Sequence, residues 1–400
     1  MRQGRLVLAG AGLFTAVRGV ALPTFWVVFP LYLLSLGYRV EDLGLIATAS
    51  ALVTAAALPV LGYLIDSGHA PVVAMFSAAS STAAFWVPLW RPDLVGLAAA
   101  YVLSDLGMSS WYPARAAIVA RTAGAGAVGR VVGAYVVLFN VARIVSPYVA
   151  GSMSEAVGYA EVMHLFGLAS AAGFATSLAM IVRPYYRLAG PSVEVPRGEW
   201  SVCPILPLPK KIACIYAHGV RLDRRVYPLA AFAVLDRFAW MLWMPLQNAY
   251  LKTVAGFGDA EVGLYNSLMG ASMMAASYPA GWLTDRVGAF KTLAINEFIG
   301  AAGAVAITIP NHLSVYASAA LFGASIALWA PAYDAAAARI LGGEHVGRVR
   351  AGVDTVRTVL GIPAPTAGSA LYTALGPAAP FIASSALMIA AAAPLIKRSE

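Results

Sequence analysis

Gly281-Trp282-Leu283-Thr284-Asp285-Arg286-Val287-Gly288-Ala289-Phe290-Lys291 is a short charged turn between two long apolar runs. A chain that leaves lipid and re-enters it at once needs this chemistry. The glycines permit close backbone approach, and Asp285, Arg286 and Lys291 stay at the water boundary. Charge is costly between two hydrophobic spans, so the turn carries a task beyond connection.

The surrounding composition fits that reading. Of 400 residues, 60% are hydrophobic and 12% charged, with a mean hydropathy of +0.74. A soluble domain is about one-quarter charged, so the chain reads as a polytopic membrane protein. The first apolar run, Leu6 to Leu36, is too long for a cleavable signal core. The net charge of +8 lies on short turns and one loop, not on a folded basic face. It is therefore read as a topology signal, and no nucleic-acid partner is expected.

Apolar runs of helical length fall at 8–36, 42–66, 70–90, 94–121, 128–154 and 160–183, then at 228–255, 260–285, 289–310, 313–341, 347–373 and 376–396. A span needs about 20 residues, so these make twelve spans in two groups of six. Domain bounds follow: a bundle over 1–183, a linker over 184–227 and a second bundle over 228–400. The linker is rich in Pro and basic residues, with a short amphipathic piece near Ile212–Ala217. Its basic residues also suit anionic lipid headgroups. Even-numbered connections and both termini carry 19 Lys and Arg, whereas odd-numbered connections carry only Arg39, Arg91 and Lys252. That asymmetry puts both termini and the central loop in the cytoplasm of a multi-pass cell-membrane protein.

A shift of 219 residues superposes the first two spans of each half. Arg18 falls on Arg237, Gly37 on Gly256, Gly44 on Gly263, Gly62 on Gly281 and Asp66 on Asp285. A shift of 218 aligns the fourth and fifth spans, with Trp111 on Trp329, Pro113 on Pro331, Arg121 on Arg339, Arg130 on Arg348, Pro147 on Pro365 and Gly158 on Gly376. Gly124 and Gly129 likewise fall on Gly342 and Gly347. Six helices separate the copies, so both halves cross the membrane in the same direction, as parallel repeats.

Two parallel six-helix halves, a cytoplasmic central loop and the Gly-x-x-x-Asp-Arg-x-Gly turn at Gly281, Asp285, Arg286 and Gly288 resemble the major facilitator superfamily of secondary transporters. The first copy departs from the signature, with Ser67 in place of the basic residue and Gly68 one position early. The antiporter signature of the fifth helix is met only by Ser146-Pro147 and Gly151, and the arginine usual on the fourth helix is Leu103. The resemblance implies an all-α fold of twelve transmembrane helices in two bundles, a central cavity lined by the first, fourth, seventh and tenth helices, and a monomer.

Ten charges lie within the spans: Arg18, Arg115, Arg143, Arg237 and Arg357 against Asp105, Asp236, Glu297, Asp334 and Asp354. Each is costly in mid-membrane unless it pairs or faces water. Either they pair off and hold the bundles together, or some serve transport. Arg18 and Arg237 are repeat mates on cavity helices, and two converging guanidinium forks suit a carboxylate or phosphate. Arg115 and Arg143, the aromatics Trp111, Tyr112, Trp329 and Tyr333, and the amides Gln247 and Asn248 complete the candidate substrate site. The aromatics equally suit lipid-boundary anchors. Asp105, Asp236 and Asp334 are the candidates for proton coupling, which needs a buried carboxyl group. Asp354 and Arg357, three apart, read as a local pair. Glu297 falls on a helix peripheral in the family and reads as packing or a partner interface.

By the same resemblance Asp285 meets the start of the fifth helix near Arg130, and Asp66 meets the start of the eleventh near Arg348. Those residues and Arg286 then form a gating latch on the cytoplasmic side. No catalytic constellation appears, so enzyme activity, cofactor and metal are not expected. The five histidines are scattered, Cys203 and Cys214 have no Cys/His set beside them, and no Gly-rich phosphate loop is present. The expected activity is passage of a small solute coupled to protons. Export of hydrophobic drugs and a non-transporting receptor are the alternatives.

Overall fold

A computed structural model of the chain describes residues 2–124, 126–189, 226–341 and 346–396. No strand occurs among them. The helices are α1 (Arg2–Ser35), α2 (Val40–Leu64), α3 (Ala70–Trp90), α4 (Leu94–Thr122), α5 (Val128–Val157) and α6 (Tyr159–Ala189), followed by α7 (Tyr227–Trp243), α8 (Gln247–Thr253), α9 (Asp259–Val287), α10 (Ala289–Ala306), α11 (His312–Leu341), α12 (Val346–Gly361), α13 (Ala364–Leu375) and α14 (Ala379–Ile396). The chain is an all-α, multi-pass membrane protein. Among the described residues seven helical stretches are, each by itself, long and apolar enough to cross a membrane. Almost all of the predicted linker, with Cys203, Cys214 and the amphipathic piece near Ile212, lies outside the described residues.

Local chemistry sets the helix ends. Asp93 caps α4 by accepting from the Gly96 N–H at 2.7 Å, and Arg91 reaches its other oxygen at 2.7 Å. These bonds favour the ionised carboxylate, and the Gly96 N–H is first among the causes that hold Asp93 below its usual carboxylate range. Glu261 reaches back to the Gly258 N–H at 2.8 Å at the start of α9. Turns close on glycines with positive φ, which a side chain would strain. They occur in pairs: Gly37 and Gly256, Gly68 and Gly288, Gly158 and Gly376. Each pair occupies corresponding turns of the two halves, so the repeat read from the sequence is also present in the backbone.

The copies differ where their sequences differ. Gly68 comes one residue early, and there α2 runs into α3 through a wide turn over Ile65–His69. The predicted seventh and eleventh spans are each broken. A tight turn over Met244–Leu246, containing Pro245, separates α7 from α8. Ile362 and Pro363 separate α12 from α13, just after Gly361 and before Pro365. Proline removes a backbone donor and crowds the preceding turn, which accounts for both breaks.

The chain divides into two compact units, residues 1–36 with 49–212 and residues 37–48 with 213–400. In the first, α1 packs on α4, α5 and α6, and α3 on α4 and α6. Its core stacks Phe14 on Trp111 at 3.8 Å, with Phe174 4.6 Å from Phe14. In the second, α7 packs on α12, α13 and α14, α9 on α11, and α10 on α11 and α14. Trp243, Phe322 and Phe381 cluster at its centre. The first turns of α2 belong to this unit, where Thr366 Oγ1 bonds Thr48 Oγ1 at 2.7 Å and Thr373 donates to Glu41 at 2.9 Å. Small residues let the backbones close up: a Cβ on Gly368 of α13 would fall 1.7 Å from the Leu242 carbonyl of α7.

Candidate functional site

Three arginines gather around one ring in the first unit. Arg18 of α1 is 1% exposed. Its Nη1 donates to the Gly107 carbonyl of α4 at 2.7 Å and to Ser77 Oγ of α3 at 3.4 Å. Ser77 donates to the same carbonyl at 2.7 Å. Nε and Nη2 of Arg18 have no hydrogen-bond partner, and no carboxylate pairs with it among the described residues. Its guanidinium carbon lies 5.4 Å from the Tyr112 ring centre, and that of Arg115 lies 5.3 Å from the same ring. Arg143 of α5 is also within electrostatic reach of Tyr112. Arginine keeps its proton in a protein, so a buried guanidinium without a counter-charge is an exposed cost in the energy of this unit. Tyr112 itself is accessible, whereas Trp111 beside it is fully buried in the core. On the same helix Asp105 accepts from Ser50 Oγ at 2.5 Å.

The second unit buries acid at the corresponding level. Asp236 of α7 is 4% exposed and Glu297 of α10 is 1% exposed. The Asp236 carboxyl group is in reach of Arg357 and Arg237, the Glu297 carboxyl group and the Trp329 indole. Asn296 donates to Glu297 Oε1 at 2.8 Å, and Ser325 of α11 donates to Asn296 Oδ1 at 2.8 Å. Arg357 pairs with Asp354 at 2.9 Å, as the spacing predicts. It also lies 4.5 Å over Trp329, which stacks on Tyr333. Arg237 is half-buried and packs against Gly361 at the end of α12. The reading of Glu297 as a partner interface on a peripheral helix is corrected: its side chain turns into the unit, toward Asp236. Residue spacing within α10 alone does not show this; the packing of α10 on α11 and α14 buries that face.

The other predicted residues are spread more widely. Gln247 and Asn248 are buried on α8, where Asn248 Oδ1 accepts from Asn266 at 2.8 Å. Asp334 is half-buried on α11. Asp66, Asp285, Arg130 and Arg286 are exposed, and Arg286 lies 4.7 Å over the Trp282 ring. The Arg348 side chain lies outside the described residues. Close backbone approach is expected at Gly281, yet no described atom lies within 4 Å of a Cβ built there or at its repeat mate Gly62. Among the described residues no group of three or more His, Cys, Asp or Glu is gathered to hold a metal ion.

Buried ionisable side chains inside a multi-pass helical bundle mark functional positions by default. The model of the Major Facilitator Superfamily matches residues 7–235 and again 229–400, and the chain belongs to that superfamily. A comparison with curated protein sequences returned no match. Among solved structures the chain is similar to the crystal structure of a bacterial homologue of the iron transporter ferroportin in the inward-facing state. The identity is 15%, the TM-score 0.75, and the match covers 100% of this chain and 99% of that one. At that identity the likeness shows the fold.

Proposed function

We propose that the protein is a secondary permease of the cell membrane that moves a small organic anion by alternating access, coupled to protons. One observation carries the reading. Arg18 is buried beside Tyr112 and Arg115, and among the described residues two of its guanidinium nitrogens are unpartnered and no carboxylate pairs with it. An anionic solute supplies the missing counter-charge, and its binding then differs between the states in which the site is open and closed. Arg115, Arg143 and Tyr112 border the same position, and Arg237, Trp329, Tyr333, Gln247 and Asn248 are the second unit's share. Asp236 supplies the titrating group, with Asp105 and Asp334 as further candidates. Asp285 and Arg286 with Arg130, and Asp66 with Arg348, form the cytoplasmic gate of a monomer whose termini face the cytoplasm. Asp285→Asn then shifts the population inward, and accessibility labelling reads that shift.

The deciding experiment is a thermal-shift screen of purified protein against carboxylates, phosphates, sugars, amino acids, hydrophobic drugs and divalent cations at two pH values. Proteoliposome uptake with and without a pH gradient accompanies it. Anion-selective stabilisation that vanishes in Arg18→Ala and Arg237→Ala, with uptake that follows the gradient, supports the proposal. Unchanged anion binding in both variants sinks the anion site, and uptake indifferent to the gradient sinks the proton coupling.

A further inference from the structure

With Asp236 assigned to proton coupling, the buried Glu297 beside it is left without a task. Asp236 and Glu297 face each other across α7 and α10, and each retains one oxygen, Oδ1 and Oε2 respectively, with no hydrogen-bond donor. Every packed element contributes a named group here. On α7 that group is Arg237, on α10 Asn296, on α11 Trp329 and Ser325, and on α12 Arg357 with its partner Asp354. From α14 the neighbouring side chain is the apolar Met388, packed on Ala239 and Ala301. The donors that reach the pair serve it from the sides: the Asn296 amide takes Glu297 Oε1 at 2.8 Å, and Ser325 fixes the orientation of that amide. Among the described residues Asp236 Oδ1 and Glu297 Oε2 find no hydrogen-bond donor. Two carboxylates have only acceptors, so they repel at contact, and one proton converts that repulsion into a hydrogen bond. Arg237 and Arg357 bring two positive charges to the same corner, which argues against a bound metal cation there.

The repeat gives an independent reason to treat this corner as a site. With α7 registered on α1 and α11 on α4 by the shifts already given, Arg237 falls on Arg18 and Ser325 on Gly107. Positive-φ glycines stand just before α3 and α10, Gly68 and Gly288, and through them Glu297 falls on Ser77. In the first unit Arg18, Ser77 and Gly107 are the three residues joined by hydrogen bonds. The same junction of three helices therefore holds Arg18 in one unit and, in the other, Glu297, with Asp236 one residue before the arginine's repeat mate Arg237.

We propose that Asp236 and Glu297 form a single protonic site that holds one proton between them, with Glu297 as a full member of it. The role assigned to the site rests on the permease reading, but the shared proton does not. Infrared difference spectroscopy of the purified protein reads the carbonyl stretch of a protonated carboxyl group, and no substrate is needed. At neutral pH one such band is expected. It should shift when either glutamate or aspartate is isotope-labelled in the wild-type protein, and it should be lost in both Glu297→Gln and Asp236→Asn. A band that persists in both variants overturns the proposal. If the variants fail to fold, labelled wild type decides: a band insensitive to the glutamate label overturns it. Proton-driven uptake with no shared band would overturn this inference and leave the permease reading standing. A shared band without proton-driven uptake would uphold it while removing the coupling.

Discussion

Arg18 is held by a carbonyl and not by a carboxylate, and that fact separates stability from function at one residue. A buried charge without a partner opposes folding, and even a buried ion pair can often be replaced by apolar residues at no loss or with a gain of about 1–4 kcal/mol. The usual penalty of such a change, an orphaned partner, is absent here because Ser77 still donates to the Gly107 carbonyl at 2.7 Å. Arg18→Met is therefore expected to unfold at a temperature no lower than wild type without ligand, and to lose the stabilisation that anions give. Thermal unfolding with and without the anions found in the screen checks both halves. A clear drop in the ligand-free protein would mean that the guanidinium is structural. The sequence singles out Arg18 because an arginine inside an apolar run cannot be hidden. It does not show that Arg18 lacks an acid, since five acids lie within the spans and sequence alone does not say which of them Arg18 meets. For Glu297 the sequence leaves packing and a partner interface both open for a related reason: helix rank says which helix is peripheral, but only the packed unit says which way its side chains turn.

Helices were legible from composition and length, and their interruptions were not. The run at 228–255 is apolar, whereas the run at 347–373 carries Arg348, Arg350, Asp354 and Arg357; each breaks at a proline, while α1, α4 and α5 carry Pro23, Pro113 and Pro147 without breaking. What decides is whether the packing around a proline can satisfy the freed backbone groups, and one chain read alone does not contain that information. Packing between elements yields a paired prediction. At Gly368 a Cβ would overlap the Leu242 carbonyl of α7, a backbone atom that cannot swing aside. Gly368→Ala should cost at least about 3 kcal/mol, the upper part of the range for overpacking. At Gly281, inside α9, nothing lies within 4 Å of the added carbon. Gly281→Ala should be neutral or stabilise the fold by up to about 1 kcal/mol through helix propensity. Unfolding midpoints of the two variants, measured side by side in one detergent, test the contrast. Equal losses would show that the α7–α13 approach is looser than the structure has it.

At the scale of the molecule the turn at Gly281 ends on Gly288, as its twin ends on Gly68. It closes one of three pairs of positive-φ turns that repeat between the halves, and it carries its charge in exposed side chains. The repeat was readable because glycines, prolines and charges are scarce in apolar chains and their coincidences stand out. Orientation rests on a different physical argument. Translocating Lys and Arg is costly, so the side with 19 of them, against three, should stay in the cytoplasm. Arg39, before α2, and Arg286, at the end of α9, make the test direct, because both are exposed and the counting puts them on opposite faces. In a background with Cys203 and Cys214 replaced by serine, Arg39→Cys should react with a membrane-impermeant maleimide in intact cells. Arg286→Cys should react only after the cells are permeabilised. The opposite pattern would invert the topology and move the Gly281 turn, with the gate assigned to it, to the outer face. Labelling of both cysteines in intact cells would break the link between charge and orientation on which the arrangement of both units across the membrane depends.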